Sequence, residues 1–354
     1  MPIAVGKTLS REQLKARVQK NRKGDLAYLI DRALAFRFDP SDTLVISGFW
    51  RSGTTWLEES LREILYAKTL FEPIDPLLHD TQTLHEHDQV AGKTLEFLRL
   101  YMPYCSGSIL SSGHPLTKLF RQSLRSELRG AWARRFRQGL AESFRPRLVV
   151  KFVNAQLCLR AAQNTFVMPV LHVYRDPRAV VASIKKTRWH GLFDHLSLRE
   201  QLLEAPDGRV EYFGRWRGEI LEYDRYNTVT RVAAYWALTE KFLQDSYADE
   251  QNRFVCISYE ALAQQREKVF ATILDKLNLR PWQKNFRVAE KDSTTTSKKQ
   301  QGASVKERVA GWKNYLSSID VAVIESITQH LGFAERLADD AVAASSATAA
   351  EVLA

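Results

Sequence analysis

The chain is 354 residues long, about two to three times a usual domain, so it can hold one large α/β domain or two modest ones and needs no disulfide or metal staple. Its 45% hydrophobic, 26% charged and 10% aromatic residues exclude a disordered or fibrous protein. Lys and Arg number 51 against 41 Asp and Glu, a net charge of +10, which favours an anionic partner without choosing among nucleotide, nucleic acid, sulfated sugar and membrane surface.

The first 25 residues turn charged after a short apolar patch, and no apolar run approaches the length of a membrane span. Cys105, Cys158 and Cys256 are too few and too scattered for a disulfide framework. Both features lead us to expect a soluble cytoplasmic protein without signal peptide, anchor or stable membrane insertion. Ser10 and Gln13 predict a capping box that opens a basic helix ending near Asn21 to Gly24, and a second helix is expected over Leu26 to Phe36.

Thr43 to Ser47 is a short β-branched and apolar run that suits a buried parallel strand. It runs into a glycine-bounded loop, Gly48 to Gly53, and then the helical spacing of Leu57, Leu61, Ile64 and Leu65. The histidine-rich stretch from Pro73 to Gln89 reads as an excursion over the sheet, and basic Ser123 to Arg145 as helical. Leu148 to Val153 and Val170 to Tyr174 are two further strands with helical sequence between them. Asp176 can cap a helix whose first residue is Pro177. An aromatic-rich segment from Trp189 leads to a helix through Trp236 and Phe242. A strand at Phe254 to Ser258, a helix at Tyr259 to Leu277, and a Lys, Ser and Thr loop at Lys291 to Gly302 complete the pattern. We expect one α/β domain over residues 41–335 with a central, mainly parallel sheet flanked by helices, a helical extension over 1–40, and a frayed Ala-rich tail over 336–354.

Gly48 to Thr55 nearly spells the phosphate-binding form GxxxxGK followed by Ser or Thr, but Thr54 stands where the lysine belongs. The cation, Arg51, sits three positions earlier. Loop amides and the helix N-terminus can still cradle an anion, and the hydroxyls of Thr54 and Thr55 add donors. A guanidinium in the loop stays protonated and forks onto two oxygens, so it can supply charge at a transferring group without a metal. Arg175 ends a strand and Ser183 lies about two turns into the next helix, so both can face a phosphate above the sheet edge. Taken alone, the loop could be an ordinary strand-to-helix turn, and Arg175-Asp176 a simple ion pair or cap.

Together these residues resemble the sulfotransferases that use adenosine 3′-phosphate 5′-phosphosulfate (PAPS). Their first signature is a Lys or Arg followed by Ser-Gly-Thr-Thr; here it is Arg51-Ser52-Gly53-Thr54-Thr55-Trp56. Their second is Arg, then Asn or Asp, often then Pro, with a Ser eight residues after the Arg; here Arg175-Asp176-Pro177 and Ser183. Tyr259-Glu260-Ala261-Leu262 and Gly311-Trp312-Lys313 resemble two later landmarks, so the resemblance covers about Thr43 to Leu316. It implies a P-loop NTPase-like α/β fold and transfer of a sulfuryl group to an acceptor hydroxyl. By that resemblance, Arg51 to Thr55 would hold the 5′-phosphosulfate and Arg175 with Ser183 the 3′-phosphate. Lys306 and Arg308 could reach the same phosphate, and Trp56 would stack on adenine, unless it is a core residue.

A base must also activate the acceptor. The phenol and steroid branch carries a His two residues after a strand-end Lys, where this chain has Lys151-Phe152-Val153. Phe71-Glu72-Pro73 instead resembles carbohydrate and bacterial sulfotransferases, making Glu72 the first candidate base and His79 the second, with His85, His87 and His114 more remote. Glu72 could otherwise be a solvated loop carboxylate. The acceptor expected is a sugar or glycolipid rather than a phenol. No carboxylate or cysteine completes a metal motif with His79, His85 and His87, so no metal is expected. The run Arg134 to Arg137 reads as a solvated helix face, and no nucleic-acid partner is expected. A P-loop small-molecule kinase, with Asp176 imitating a magnesium-binding aspartate, is the main alternative, and a non-catalytic polyanion-binding module is the third. Oligomeric state is not readable.

Overall fold

The structure, a computed structural model, describes residues 28–74, 102–105, 107–128, 136–187, 193–248, 253–286 and 304–337, with Leu26, Ala133, Arg134, Val288 and Gly302. Five parallel strands are ordered β2-β3-β1-β4-β5: β1 (Leu44–Ser47), β2 (Ala67–Phe71), β3 (Arg147–Phe152), β4 (Val170–Tyr174) and β5 (Phe254–Ser258). Their side chains are buried almost throughout, as both faces carry helices. On one face Leu44, Ile46, Val149 and Leu171 pack with Leu57 and Leu61 of α1 (Thr54–Ile64) and with Phe270. On the other, Val45, Leu70, Val150 and Phe152 pack with Leu116 and Phe120 of α2 (Pro115–Leu124) and Leu159 of α3 (Leu159–Phe166). A third cluster surrounds Trp236 and Tyr235 on α5 (Thr228–Ser246), which follows α4 (Pro177–Lys186).

Register fixes where chemistry can occur. Ser47 pairs with both Phe152 and His172, so β1 and β3 end level while β4 runs two residues further, to Tyr174. From β1 the chain passes to the edge strand β2, returns to β3 beside β1, and then crosses to β4 on β1's other side, which puts a crevice at the carboxyl end of β1, where open α/β sheets bind ligands.

Several sequence expectations change. β2 was not anticipated: its Lys68 breaks the apolar run, and only the fold shows that Lys68 is buried against Asp31 at 3.1 Å. Asp31 is completely buried and also accepts from Arg134 (2.9 Å), Arg137 (3.1 Å) and Ser143 (2.8 Å). Arg134 and Arg137 are therefore interior ion-pair partners rather than a solvated face, and Phe136 packs edge-on against Phe71; Arg135 lies outside the described residues. The helix expected over Ser123 to Arg145 lies earlier, at α2, because Pro115 starts it and Ser126 leaves helical space at φ +58°. The helix expected from Tyr259 is two, α6 (Tyr259–Gln264) and α7 (Arg266–Lys276), broken at Gln265, whose ψ is +49°. The Ser10 helix, Lys291 to Gln301 and the tail beyond Leu337 lie outside the described residues.

Buried His172 on β4 lies 3.1 Å through Nε2 from both Glu240 carboxylate oxygens, and Arg336 donates to the same carboxylate. Burial pushes the Glu240 carboxyl up, but His172 and Arg336 outweigh it and hold it at about 2. Among the described residues, no helix is long and apolar enough to cross a membrane, and no group of three or more His, Cys, Asp or Glu is arranged for a metal ion.

Candidate active site

The loop after β1 is shaped by two glycines. A Cβ on Gly48 would stand 2.5 Å from the Val173 carbonyl oxygen at the end of β4, and one on Gly53 would stand 2.3 Å from the Tyr259 ring. Gly53 turns at φ +87° and Arg51 at φ +68°, a left-handed conformation that costs a non-glycine residue about 1–2 kcal/mol. Backbone strain of this kind persists where the surroundings over-determine it. α1 then starts at Thr54 without a side-chain cap, leaving its first amides as donors. Ser52 is fully buried, and its Oγ has no hydrogen-bond partner among the described residues. An uncapped helix start, a strained cation and an unsatisfied buried hydroxyl fit an anion.

The second motif closes onto the first. Arg51 Nε donates to Ser183 Oγ on α4 at 2.9 Å, and Arg175 Nη1 donates to the Arg51 carbonyl at 3.0 Å. Arg175 Nη2 donates to the carbonyl of Arg308, on α8 (Val305–Ala310), at 2.8 Å, and its guanidinium lies 4.5 Å over the Tyr259 ring. Burial, and then the neighbouring Arg175 charge, push the Arg51 guanidinium below its ordinary value. Asp176 caps α4 through the Arg178 amide at 2.8 Å and pairs through both oxygens with the Arg178 guanidinium. Arg178 also lies 4.3 Å over Trp312 and pairs with Glu325. Both Asp176 oxygens are thus committed, which removes the resemblance to a magnesium-binding aspartate. Glu260 accepts from the Asp176 amide at 3.2 Å and from Ser258 Oγ at 3.1 Å, so it braces the end of β4.

A third group comes from β2 and β3. Glu72 follows β2 at φ +45°, and its amide donates to the Lys151 carbonyl at 2.9 Å. Its Oε1 is 3.0 Å from Lys151 Nζ, which also donates to Thr55 Oγ1 at 2.9 Å. Only 7% exposed, Glu72 is no solvated loop carboxylate. Lys151 was no site candidate from sequence, yet a lysine inside the apolar run Leu148 to Val153 is the signal that could have found it, since a buried charge needs a partner. Glu58, one turn along α1 from Thr55, is buried 3.8 Å from the same ammonium.

The sulfotransferase-domain family matches residues 41–340. The chain belongs to the sulfotransferase family. Its parallel sheet, flanking helices and loop after β1 make the P-loop NTPase-like sulfotransferase fold. No curated protein matches the sequence. Solved structures similar to it include the sulfotransferase domain from the curacin biosynthetic pathway (15% identity over 82% of this chain and 97% of that one, TM-score 0.40). Mouse sulfotransferase SULT7A1 complexed with PAP (12%, 84% and 88%, 0.37) and sulfotransferase STF1 from Mycobacterium tuberculosis (14%, 90% and 86%, 0.37) are others. At such identity and TM-score the likeness adds nothing beyond the family.

The remaining candidates of this sulfotransferase are dispersed. Trp56 is 9% exposed; its ring packs edge-on against Phe270 at 6.0 Å, with the Arg266 guanidinium 5.9 Å from its centre. Val153 is buried in the cluster of Trp50 and Trp236. His114 caps α2, its Nδ1 accepting from the Leu116 amide at 3.2 Å, and burial lowers its pKa. Lys306 lies on α8. His79, His85, His87 and Trp189 lie outside the described residues.

Proposed function

We propose that this sulfotransferase uses PAPS as donor and transfers its sulfuryl group to an acceptor hydroxyl of a carbohydrate or glycolipid, in the cytoplasm and within a domain spanning 41–335, into whose interior Asp31 and Arg336 from the flanking segments also pack. The observation that carries the donor reading is the closure of the two motifs on each other, Arg175 to the Arg51 carbonyl at 3.0 Å and Arg51 to Ser183 at 2.9 Å. PAPS bears about four negative charges, counting roughly two on its 3′-phosphate, and supplies the sulfuryl group. Arg175 and Ser183 bind the 3′-phosphate, joined by Lys306, two residues before the Arg308 whose carbonyl accepts from Arg175, with Trp56 against the adenine. Arg51, the loop amides at Ser52 and Gly53, and the hydroxyls of Thr54 and Thr55 hold the phosphosulfate end. There Arg51 offsets the charge that grows on the transferring and leaving oxygens. No metal is needed for this stabilisation.

Glu72 takes the acceptor proton. Lys151 supports that role, for one ammonium joins Glu72 to Thr55, so base and donor loop are held in one geometry. Val153, in place of a histidine, favours the carbohydrate branch over phenol acceptors.

Calorimetry with adenosine 3′,5′-bisphosphate, ATP with magnesium, and an oligonucleotide tests the donor reading. The bisphosphate is expected to bind best, and Arg175→Ala to weaken it about 10²-fold, the scale of a lost charge-assisted fork; preference for ATP with magnesium would sink the reading in favour of a kinase. For the base, Glu72→Gln is expected to lower kcat by about 10²-fold while bisphosphate affinity changes little. Unaltered turnover would move the role to His79.

A further inference from the structure

Lys151 serves two carboxylates at once. Its Nζ lies 3.0 Å from Glu72 Oε1 and 3.8 Å from Glu58 Oε2, with the Thr55 hydroxyl at 2.9 Å on the donor loop. Glu58 is 3% exposed, and neither of its carboxylate oxygens accepts a hydrogen bond among the described residues. A buried carboxylate with no donor is poorly tolerated, whereas a buried neutral carboxyl is tolerated far better.

We propose that Glu58 is a positioning residue of the sulfuryl-transfer site, a carboxyl that while uncharged leaves the Lys151 ammonium to Glu72 and Thr55, and that competes for this ammonium and weakens donor binding when it ionises. This rests on the donor reading above. With Glu58 neutral, the charges of Lys151 and Glu72 cancel beside the loop. Once Glu58 ionises, the group carries a net negative charge where an anionic donor must enter, and Lys151 is shared between two anions.

The surroundings agree with that assignment. Burial pushes the Glu58 carboxyl up to about 8, opposed by Lys151 and Arg62 and helped by Glu72 and Glu59. Lys151 comes from β3 and Glu72 from the end of β2; Glu59 and Arg62 share the helix of Glu58, and β1 contributes no titratable side chain. Lys68, the other charge on β2, is committed to Asp31.

The test is calorimetry of adenosine 3′,5′-bisphosphate on the full chain and on Glu58→Gln across neutral to alkaline pH. For the native protein the dissociation constant is expected to rise about tenfold, one unscreened charge at short range being ample for that, with its midpoint near about 8. In Glu58→Gln the same rise should be under about twofold, since the amide keeps the shape of the neutral carboxyl and cannot ionise. A second readout needs no ligand. A carboxyl raised from 4.5 to about 8 stabilises the fold most below 4.5 and loses that contribution as pH climbs towards 8. The melting temperature of the native protein should therefore fall across that window more than that of the variant. Glu58→Met, uncharged and of similar length, replaces the glutamine variant if that one does not fold. Equal alkaline weakening in native and variant proteins overturns this inference alone. Absence of bisphosphate binding at every pH overturns the donor reading and this inference with it.

Discussion

Arg51→Ala is expected to lower kcat/KM for sulfuryl transfer by about 10³-fold, the scale seen when a positioned cation or donor is removed from a reacting oxygen. Arg51 occupies its place at a conformational cost, at φ +68°, and is pinned there from two sides, by its Nε on Ser183 and by Arg175 on its carbonyl. Nothing about the fold requires a guanidinium at that turn, and a glycine would adopt it without strain. The alanine variant should therefore fold while losing the charge proposed to meet the transferring group. Arg51→Lys restores charge without the fork and should recover only part of the loss. Initial-rate assays of all three proteins at matched donor concentration decide the matter; a loss below about tenfold would remove Arg51 from the reacting end.

Asp31→Ala is expected to destabilise the fold by about 3–5 kcal/mol, the cost of breaking a buried ion pair from one side. Asp31 answers Lys68, Arg134 and Arg137 together, with Ser143 completing its shell. Its removal strands three cations in the interior. Burial alone would raise the Asp31 carboxyl, yet Lys68, Arg134 and Arg137 outweigh burial and hold it below its ordinary value. A depressed carboxyl stabilises the folded state above the ordinary carboxylate range and loses that contribution as pH falls. Denaturant titrations of native protein and variant should accordingly converge as the solution is acidified. A midpoint unchanged at neutral pH would mean that the cluster contributes nothing net.

Four of the five strands were legible because parallel strands covered on both faces are short unbroken apolar runs, and Val170 to Tyr174 and Phe254 to Ser258 coincide with the observed β4 and β5. β2 was not, because Lys68 interrupts its pattern and the residue that neutralises it lies 37 positions away. The Asp176 cap and Pro177 start of α4 followed from local chemistry and stand as expected. Long-range pairing was the limit elsewhere as well. The sequence presents Glu72 and Lys151 as unrelated residues, and only the register of β2 beside β3 brings them to 3.0 Å. By contrast Arg175 and Ser183 could be grouped in advance, since one follows a strand end and the other lies about two turns into the next helix, while Arg51, in the loop after β1, was tied to them by the motif resemblance. Arg134 and Arg137 misled for the same reason that Lys68 did: a basic run looks solvated until its anion is located.

The interior contact of Arg336 with Glu240 and His172 has a consequence for biogenesis. Arg336 follows every strand of the sheet, so while the chain is being synthesised His172 and Glu240 emerge long before the cation that completes them. Until Arg336 leaves the ribosome, the nascent domain carries an unfinished acidic site at its centre, beside β4. The contact of Arg336 with Glu240 can therefore close only after all five strands of the described sheet have been made.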